Sequence, residues 1–295
     1  MNSRIYIFGP AMQRTVYLNG EYLPEDEAKI SIFDRAVLFG DAIYEVVGVL
    51  DGKLIDFESH MQRLHNSLNK LGIPIPLDNQ QILTAFRDLI DLNGINEGLV
   101  YMQVTRGEAE RDFLWQDELQ PTVFMFTQHK ILVENEYAES GVILKSVEDI
   151  RWARRDIKSV NLLGQVLAKK EASEAGAYEA LMIDNDGYIT ECASTSVFIV
   201  TDDLLLTRPL GNEILPGITR KAIVALCNTH GIRLVETKFT LKEALQADEV
   251  FISSTSSYVL PVVQIDEQKI GSSTPGPYYQ KLHQIYIEHA RVSSI

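Results

Sequence analysis

The sequence predicts an α+β fold divided between two domains. Three observations carry that prediction. Strand-like runs come in pairs joined by turn residues, helical periodicities come in clusters, and a polar, turn-poor stretch at 128–140 separates two halves of the 295 residues. A doubly wound sheet would instead alternate strand with helix along its length. The expected division is 1–130 for a small α+β domain and 131–295 for a larger one.

The elements are justified in chain order. Residues 15–18 alternate and run into Asn19-Gly20, a pair that tolerates the positive φ angles of a hairpin turn. A short strand is expected at 29–33 and a loop at 34–41. Residues 42–50 are apolar and β-branched, and Asp51-Gly52 turns them into a second hairpin over 53–56. Helical spacing of Met61, Leu64, Leu68 and Leu71 marks 57–71. Ile82, Leu83, Phe86, Leu89 and Ile90 mark 78–92, with Asp78 as N-cap. Strands follow at 99–105 and 122–127, separated by a long charged segment of the kind that is usually functional.

Beyond the linker a strand at 142–147 leads to the segment around Lys158 and a helix at 162–175. A hairpin of 178–183 and 188–192 turns at Asn185-Asp186-Gly187. Strands at 196–200 and 204–207 precede a helix opened by Pro216-Gly217-Ile218-Thr219 and reaching about His230. Thr240-Leu-Lys-Glu243 is a capping box. Strands at 250–253 and 259–265 and a last helix at 278–291 complete the chain. There is no internal repeat and no low-complexity tract.

Composition narrows the function. A formal net charge of −14 argues against nucleic acid or an anionic membrane as the principal partner, because either requires a basic face. Two cysteines, Cys192 and Cys227, without CxxC spacing point to neither a disulfide framework nor structural zinc, and a reducing cytoplasm is the expected location. In the N-terminal stretch 1–14, a short apolar run at 5–8 is broken by Gly9-Pro10. The stretch lacks the charged start and small-residue cleavage site of a signal peptide. No apolar run approaches membrane-spanning length. GxGxxG, the Walker loop, GxSxG and HExxH are all absent, and the six histidines show no metal-ligand spacing, so no metal is expected.

Five features hold candidate chemistry. Lys158 lies between a charged segment and an apolar helical run, with Arg151, Arg154 and Arg155 just upstream. A lysine that is desolvated or set beside other cations readily becomes a neutral amine that attacks carbonyls, although an isolated lysine is more often a surface residue at a helix start. Glu191, ending a hairpin strand, would keep a heterocyclic nitrogen protonated, or it is an ordinary edge glutamate. Ile218 and Thr219 place free N–H groups at a helix N-terminus, where dipole and donors suit a phosphate; a plain helix start reads the same way. Ser254 and Thr255 belong to a hydroxyl run, 253–257, that would donate to phosphate oxygens or sit in a solvated loop. Arg63, inward on the first long helix, would bind the same phosphate, or be a surface arginine.

The order Arg63, Lys158, Glu191, Ile218-Thr219, Ser254-Thr255 resembles that of the fold-type IV pyridoxal-phosphate aminotransferases, most closely the D-amino-acid transaminases. Phe39-Gly-Asp-Ala-Ile-Tyr-Glu-Val46, His60-Met-Gln-Arg63, Val104-Thr-Arg-Gly107, Asp156-Ile-Lys-Ser-Val-Asn-Leu-Leu163, Ile214-Leu-Pro-Gly-Ile-Thr-Arg220 and 251–256 carry the resemblance. It implies a small α/β domain and a larger pseudo-barrel domain with pyridoxal 5'-phosphate between them. It also implies transfer of an amino group from a D-amino acid, such as D-alanine or D-glutamate, to a 2-oxo acid. Lys158 would form the Schiff base and then shuttle the proton. Glu191 would pair with the pyridine nitrogen. Arg63, the Ile218 and Thr219 N–H groups and Thr255 would hold the phosphate, with Ser254 near them.

The family's members are homodimers that share site residues across the interface. Tyr44 and Arg111 match two members of the substrate-carboxylate trap, and Arg111 would come from the partner subunit. The third, a histidine, is Phe113 here, a loss on the order of 1–3 kcal/mol for a buried carboxylate. Phenylalanine suits an apolar substituent, which keeps an (R)-selective amine transaminase as an alternative. Cys192 and Ser196 stand where the family has glycine and asparagine. A branched-chain L-amino-acid aminotransferase ranks lower, since Leu163 and Ser196 replace its usual tyrosine and asparagine. An aminodeoxychorismate lyase ranks lower still, and a non-catalytic cofactor-binding protein disagrees with an intact Lys158 and Glu191.

Overall fold

The computed structural model describes residues 14–116 and 118–295, so of the N-terminal stretch 1–14 only Arg14 lies within the described residues. Two sheets organise the chain. The first has six strands in the order β2-β1-β6-β5-β3-β4, all antiparallel. They are β1 (Thr15–Leu18), β2 (Glu21–Pro24), β3 (Ala42–Leu50), β4 (Lys53–Leu54), β5 (Glu97–Thr105) and β6 (Val123–His129). Helices α2 (Phe57–Leu71) and α3 (Asn79–Leu92) cover one face of this sheet. Of the apolar positions read from their periodicity, Met61, Leu64 and Leu68 on α2 and Ile82, Phe86, Leu89 and Ile90 on α3 are buried with Ile43, Val47, Val100 and Met102, while Leu71 and Leu83 are only partly buried at the edge of the same core. Asp78 caps α3 in a reciprocal box with Gln81, which satisfies donors the helix start would otherwise leave unpaired.

The second sheet follows the order β12-β11-β10-β13-β14-β7-β8-β9, with β15 on β14. Its strands are β7 (Val142–Glu148), β8 (Glu179–Ile183), β9 (Ile189–Cys192), β10 (Ser196–Thr201), β11 (Leu204–Thr207), β12 (Leu234–Glu236), β13 (Glu249–Ser254), β14 (Tyr258–Ile265) and β15 (Gln268–Lys269). Helices α5 (Leu163–Glu174), α6 (Ile218–Thr229), α7 (Leu241–Leu245) and α8 (Pro277–Ser293) pack around it. Hairpins are not the whole of this half: β7 and β8 pair in parallel through α5, β11 and β12 pair in parallel through α6, and β7 runs parallel to β14.

The 156–161 segment joins the halves. Ser159 bridges Ile43, the Tyr44 amide donates to the Lys158 carbonyl at 3.0 Å, and the Val160 amide donates to the Ala42 carbonyl at 3.1 Å. The Lys158 amide donates to Ser67 Oγ of α2 at 3.2 Å. Lys158 is thereby pinned to the first sheet by its backbone. Gly40 makes the approach possible: its φ of 67° is left-handed, and a Cβ there would stand 2.6 Å from Asn161 Oδ1.

Two expectations are corrected. Residues 29–33 form no strand, and Ile32 and Phe33 are exposed, so no sheet rewards their apolar alternation. The stretch 34–41 is not all loop. Helix α1 (Arg35–Phe39) occupies it, started by Asp34, whose side chain accepts from the Ala36 amide, and stopped by left-handed Gly40. The 128–140 stretch, read as the connection between the halves, does lead from the first sheet to the second, and it is held in place. β6 extends to His129, Glu97 Oε1 accepts from the Leu132 and Val133 amides, Leu132 is fully buried, and α4 (Tyr137–Ser140) ends it. Among the described residues no helix is long and apolar enough to cross a membrane.

Candidate active site

Both halves line one cleft of about 200 Å³. Tyr44, Val46 and Arg63 come from the first half, and Lys158, Glu191, Ile218, Thr219, Ser254 and Thr255 from the second. Eight of the ten residues singled out from sequence are therefore brought together. Arg111 and Phe113 are not: they sit on the exposed part of the 106–120 segment, where the Arg111 guanidinium lies 5.7 Å from the Phe113 and Phe39 rings.

Lys158 is half-buried, its Nζ 4.1 Å from the centre of the Tyr44 ring. The ring in turn stacks on Tyr101 at 5.6 Å. β3 turns Tyr44 toward the cleft because Ile43, Glu45 and Val47 occupy its opposite, core-facing side. The three upstream arginines are not a bare cationic cluster. Arg151 bonds Asp149 and Glu191, Arg154 bonds Asp156, and Arg155 pairs with Asp149. Carboxylates neutralise them, which corrects the reading that they crowd positive charge about the lysine.

Glu191 is buried on β9. Its Oε1 accepts from Arg151 Nη1 at 2.6 Å and from the Leu215 amide at 3.1 Å, while Oε2 accepts no bond from the described residues. Burial raises the carboxyl above the ordinary glutamate range. The Arg151 charge and the two hydrogen bonds oppose that rise, and Asp149 adds to it.

The start of α6 forms the end of the cleft whose free donors suit an anion. Gly217 is its N-cap and supplies no side-chain cap, so the first N–H groups, those of Ile218 and Thr219, have no intrahelical acceptor. The turn sits close to β10: a Cβ at Gly217 would stand 2.9 Å from Ser196 Oγ, and that side chain would have to turn aside. Arg63 reaches the same turn, donating through Nη1 to the Pro216 carbonyl at 3.1 Å. Thr255 lines the cleft, and Ser254 Oγ already bonds Ser257 Oγ at 2.8 Å.

Sequence reasoning assigned no role to several groups that shape the cleft. Glu45 is fully buried and takes Arg63 Nε at 2.7 Å, Arg63 Nη2 at 2.7 Å and His60 Nδ1 at 2.8 Å. Burial alone would raise its carboxyl. The Arg63 charge and bonds, with the His60 bond, draw it down to about 2 instead. Burial lowers His60, so the imidazole is neutral and its Nδ1 proton points at the carboxylate. The signal was present: Glu45 interrupts the inward face otherwise made of Ile43 and Val47. Thr195 Oγ1 and Ser253 Oγ, both in the cleft wall and nearly inaccessible, find no oxygen or nitrogen hydrogen-bond partner among the described residues. Orphaned hydroxyls, a carboxylate oxygen without a donor and uncapped N–H groups are what a phosphate-bearing, ring-nitrogen ligand would satisfy.

Comparison with known proteins agrees with this geometry. Residues 42–265 match the family described as amino-transferase class IV. A D-alanine aminotransferase of Bacillus licheniformis is 38% identical over 262 residues, 89% of this chain and 92% of that one. One from Listeria monocytogenes serotype 4b is 37% identical over 276 residues, 92% and 95% of the two chains. Among solved structures, the branched-chain amino acid aminotransferase of Escherichia coli aligns with a TM-score of 0.89 at 26% identity, covering 94% of each chain. A second branched-chain amino acid aminotransferase, the T.th. enzyme solved with pyridoxamine 5'-phosphate, aligns with a TM-score of 0.85 at 26% identity and the same coverage. The chain is an enzyme of the class IV amino-transferase family and has that family's two-domain, fold-type IV α+β architecture.

Proposed function

We propose that the enzyme moves an amino group between a D-amino acid, such as D-alanine or D-glutamate, and a 2-oxo acid, with pyridoxal 5'-phosphate held at Lys158. The observation that carries this reading is the meeting in one cleft of the Lys158 amine, the unbonded oxygen of Glu191 and the α6 N-terminus backed by Arg63. The D-amino-acid choice is supported by relatives of that activity at 37–38% identity, against 26% for the branched-chain structures.

When bound, pyridoxal phosphate supplies an electron sink for the carbanion left as the Cα–H bond breaks. The chain does the rest. Lys158 Nζ would anchor the cofactor and would carry the Cα proton. Glu191 keeps a proton on the ring nitrogen. Arg63, the Ile218 and Thr219 amides, Ser254 and Thr255 hold the phosphate, and Tyr44 meets the substrate carboxylate. Arg111 and Phe113 serve the cleft of a second copy in a homodimer. The exposure of Phe113 (74%), Leu114 (82%) and Leu163 (70%) supports such a pairing. Residues 1–130 and 131–295 are the two domains, and the enzyme works in the cytoplasm.

A visible spectrum of the holoenzyme before and after D-alanine tests this. The expected result is loss of the yellow band and appearance of the pyridoxamine form, with borohydride fixing cofactor to the wild type and not to Lys158→Ala. A yellow band unchanged by D-alanine but bleached by an (R)-amine would favour the amine transaminase, which the apolar Phe113 suits.

A further inference from the structure

We propose that Glu45 is a positioning residue for the cofactor phosphate: it does not touch the phosphate, but it sets the orientation in which Arg63 does. The inference rests on the proposed reading of Arg63 as a phosphate anchor. A guanidinium has five N–H donors. In Arg63, Nε and Nη2 each give one to the two oxygens of Glu45, and Nη1 gives one to the Pro216 carbonyl, immediately before the Gly217 cap. Two donors remain, one on each terminal nitrogen, along the edge turned away from Glu45. That edge is the one suited to a forked contact with an anion beside the α6 N-terminus.

Three elements fix this orientation. Glu45 comes from β3, Arg63 from α2, and Pro216 leads into α6. His60, one turn before Arg63, donates to Glu45 Oε2 at 2.8 Å and keeps the carboxylate from rotating. Glu45 also neighbours Tyr44, whose ring lies under the Lys158 amine. One strand therefore indexes both the phosphate anchor and the lysine, and the network sets their separation.

A purely electrostatic role makes the opposite prediction. If Glu45 only neutralised a buried arginine, removing its charge would leave the cleft more positive and tighten phosphate binding. The test is cofactor affinity of the apoenzyme for Glu45→Gln, Arg63→Lys and the double variant, with pyridoxal lacking the phosphate as the control. Glu45→Gln is expected to weaken pyridoxal phosphate by about tenfold or more, the usual scale for losing a charge-assisted bond. It should leave pyridoxal unchanged and add nothing in the Arg63→Lys background, and the ³¹P resonance of bound inorganic phosphate should shift.

Unchanged or tighter pyridoxal phosphate binding overturns the proposal. So does equal weakening of pyridoxal, which would mark general damage. If Arg63→Lys leaves both affinities intact, Arg63 is not the anchor and the reading of the cleft fails instead, taking this inference with it. Should Glu45→Gln not fold, Glu45→Asp keeps the charge and withdraws it by one methylene. It is expected to weaken the phosphate ligand selectively, and a folded Asp variant with full affinity overturns the proposal.

Discussion

Glu45 and Glu191 are both buried and both bonded to an arginine, yet their carboxyls move in opposite directions, Glu45 down to about 2 and Glu191 upward. The difference lies in how the partners are shared. Arg63 gives a fork to Glu45 alone, and His60 takes up further acceptor capacity. Arg151 divides itself, giving Asp149 two bonds and Glu191 one, so burial outweighs attraction at Glu191. A carboxylate satisfied by its own protein has no capacity left for a ligand and acts by holding its partners in place. One left short of a donor at the wall of a cleft is poised for a ligand's N–H.

The comparison is broken most severely at Glu191. Glu191→Gln should lower turnover at saturating cofactor by about 10² or more, the scale for removing a group that stabilises developing charge. Stability should hardly move, because Arg151 retains Asp149. Initial rates together with a urea midpoint check both halves. Glu45→Ala should invert that pattern, costing about 3–5 kcal/mol of stability because it strands a buried arginine. Denaturant unfolding of the apoenzyme measures it.

Acid sharpens the contrast. The Glu45 carboxyl is lower in the folded state than its ordinary value of 4.5, so its stabilisation is present above about pH 4.5 and lost as pH falls toward about 2. The whole loss is worth roughly 3 kcal/mol. Glu191, raised instead, contributes most below its ordinary value and less as pH rises through the folded one. Glu45→Gln should therefore flatten the acid limb of a stability–pH curve, and Glu191→Gln should leave it in place. The smallest effect is expected from Asp149→Asn, which removes the negative charge that competes with Glu191 for Arg151 and itself raises the Glu191 carboxyl. It should move Glu191 downward, read as an acid-side shift of under about one unit in the pH–rate profile.

Much of the fold was legible because its signals are local. Met61, Leu64 and Leu68 repeat at helical spacing, Asp78 and Thr240 each find a partner three residues on, and Asn19-Gly20 turns a hairpin within two residues. Helix α1 carried local signals too, Asp34 and Gly40, but five residues are too few to show a period. The 29–33 strand failed for the converse reason: the alternation was real, yet no strand among the described residues runs alongside it.

By itself the sequence picked out groups that the fold gathers into one cleft: a lysine, a carboxylate, a helix start rich in free donors and an arginine on an inward helix face. Those are properties of residue type and near spacing. The tertiary structure alone decided which charges cancel. Glu45 and Arg63 lie 18 residues apart, and Arg151 and Glu191 lie 40 apart. Their pairing follows from how β3 meets α2 and how the 149–158 segment meets β9. An ion pair depends on distance in space, and the chain records only distance along itself. The sequence could therefore name four arginines near the site, while only the fold left Arg63 with two donors for an anion and tied Arg151, Arg154 and Arg155 to carboxylates.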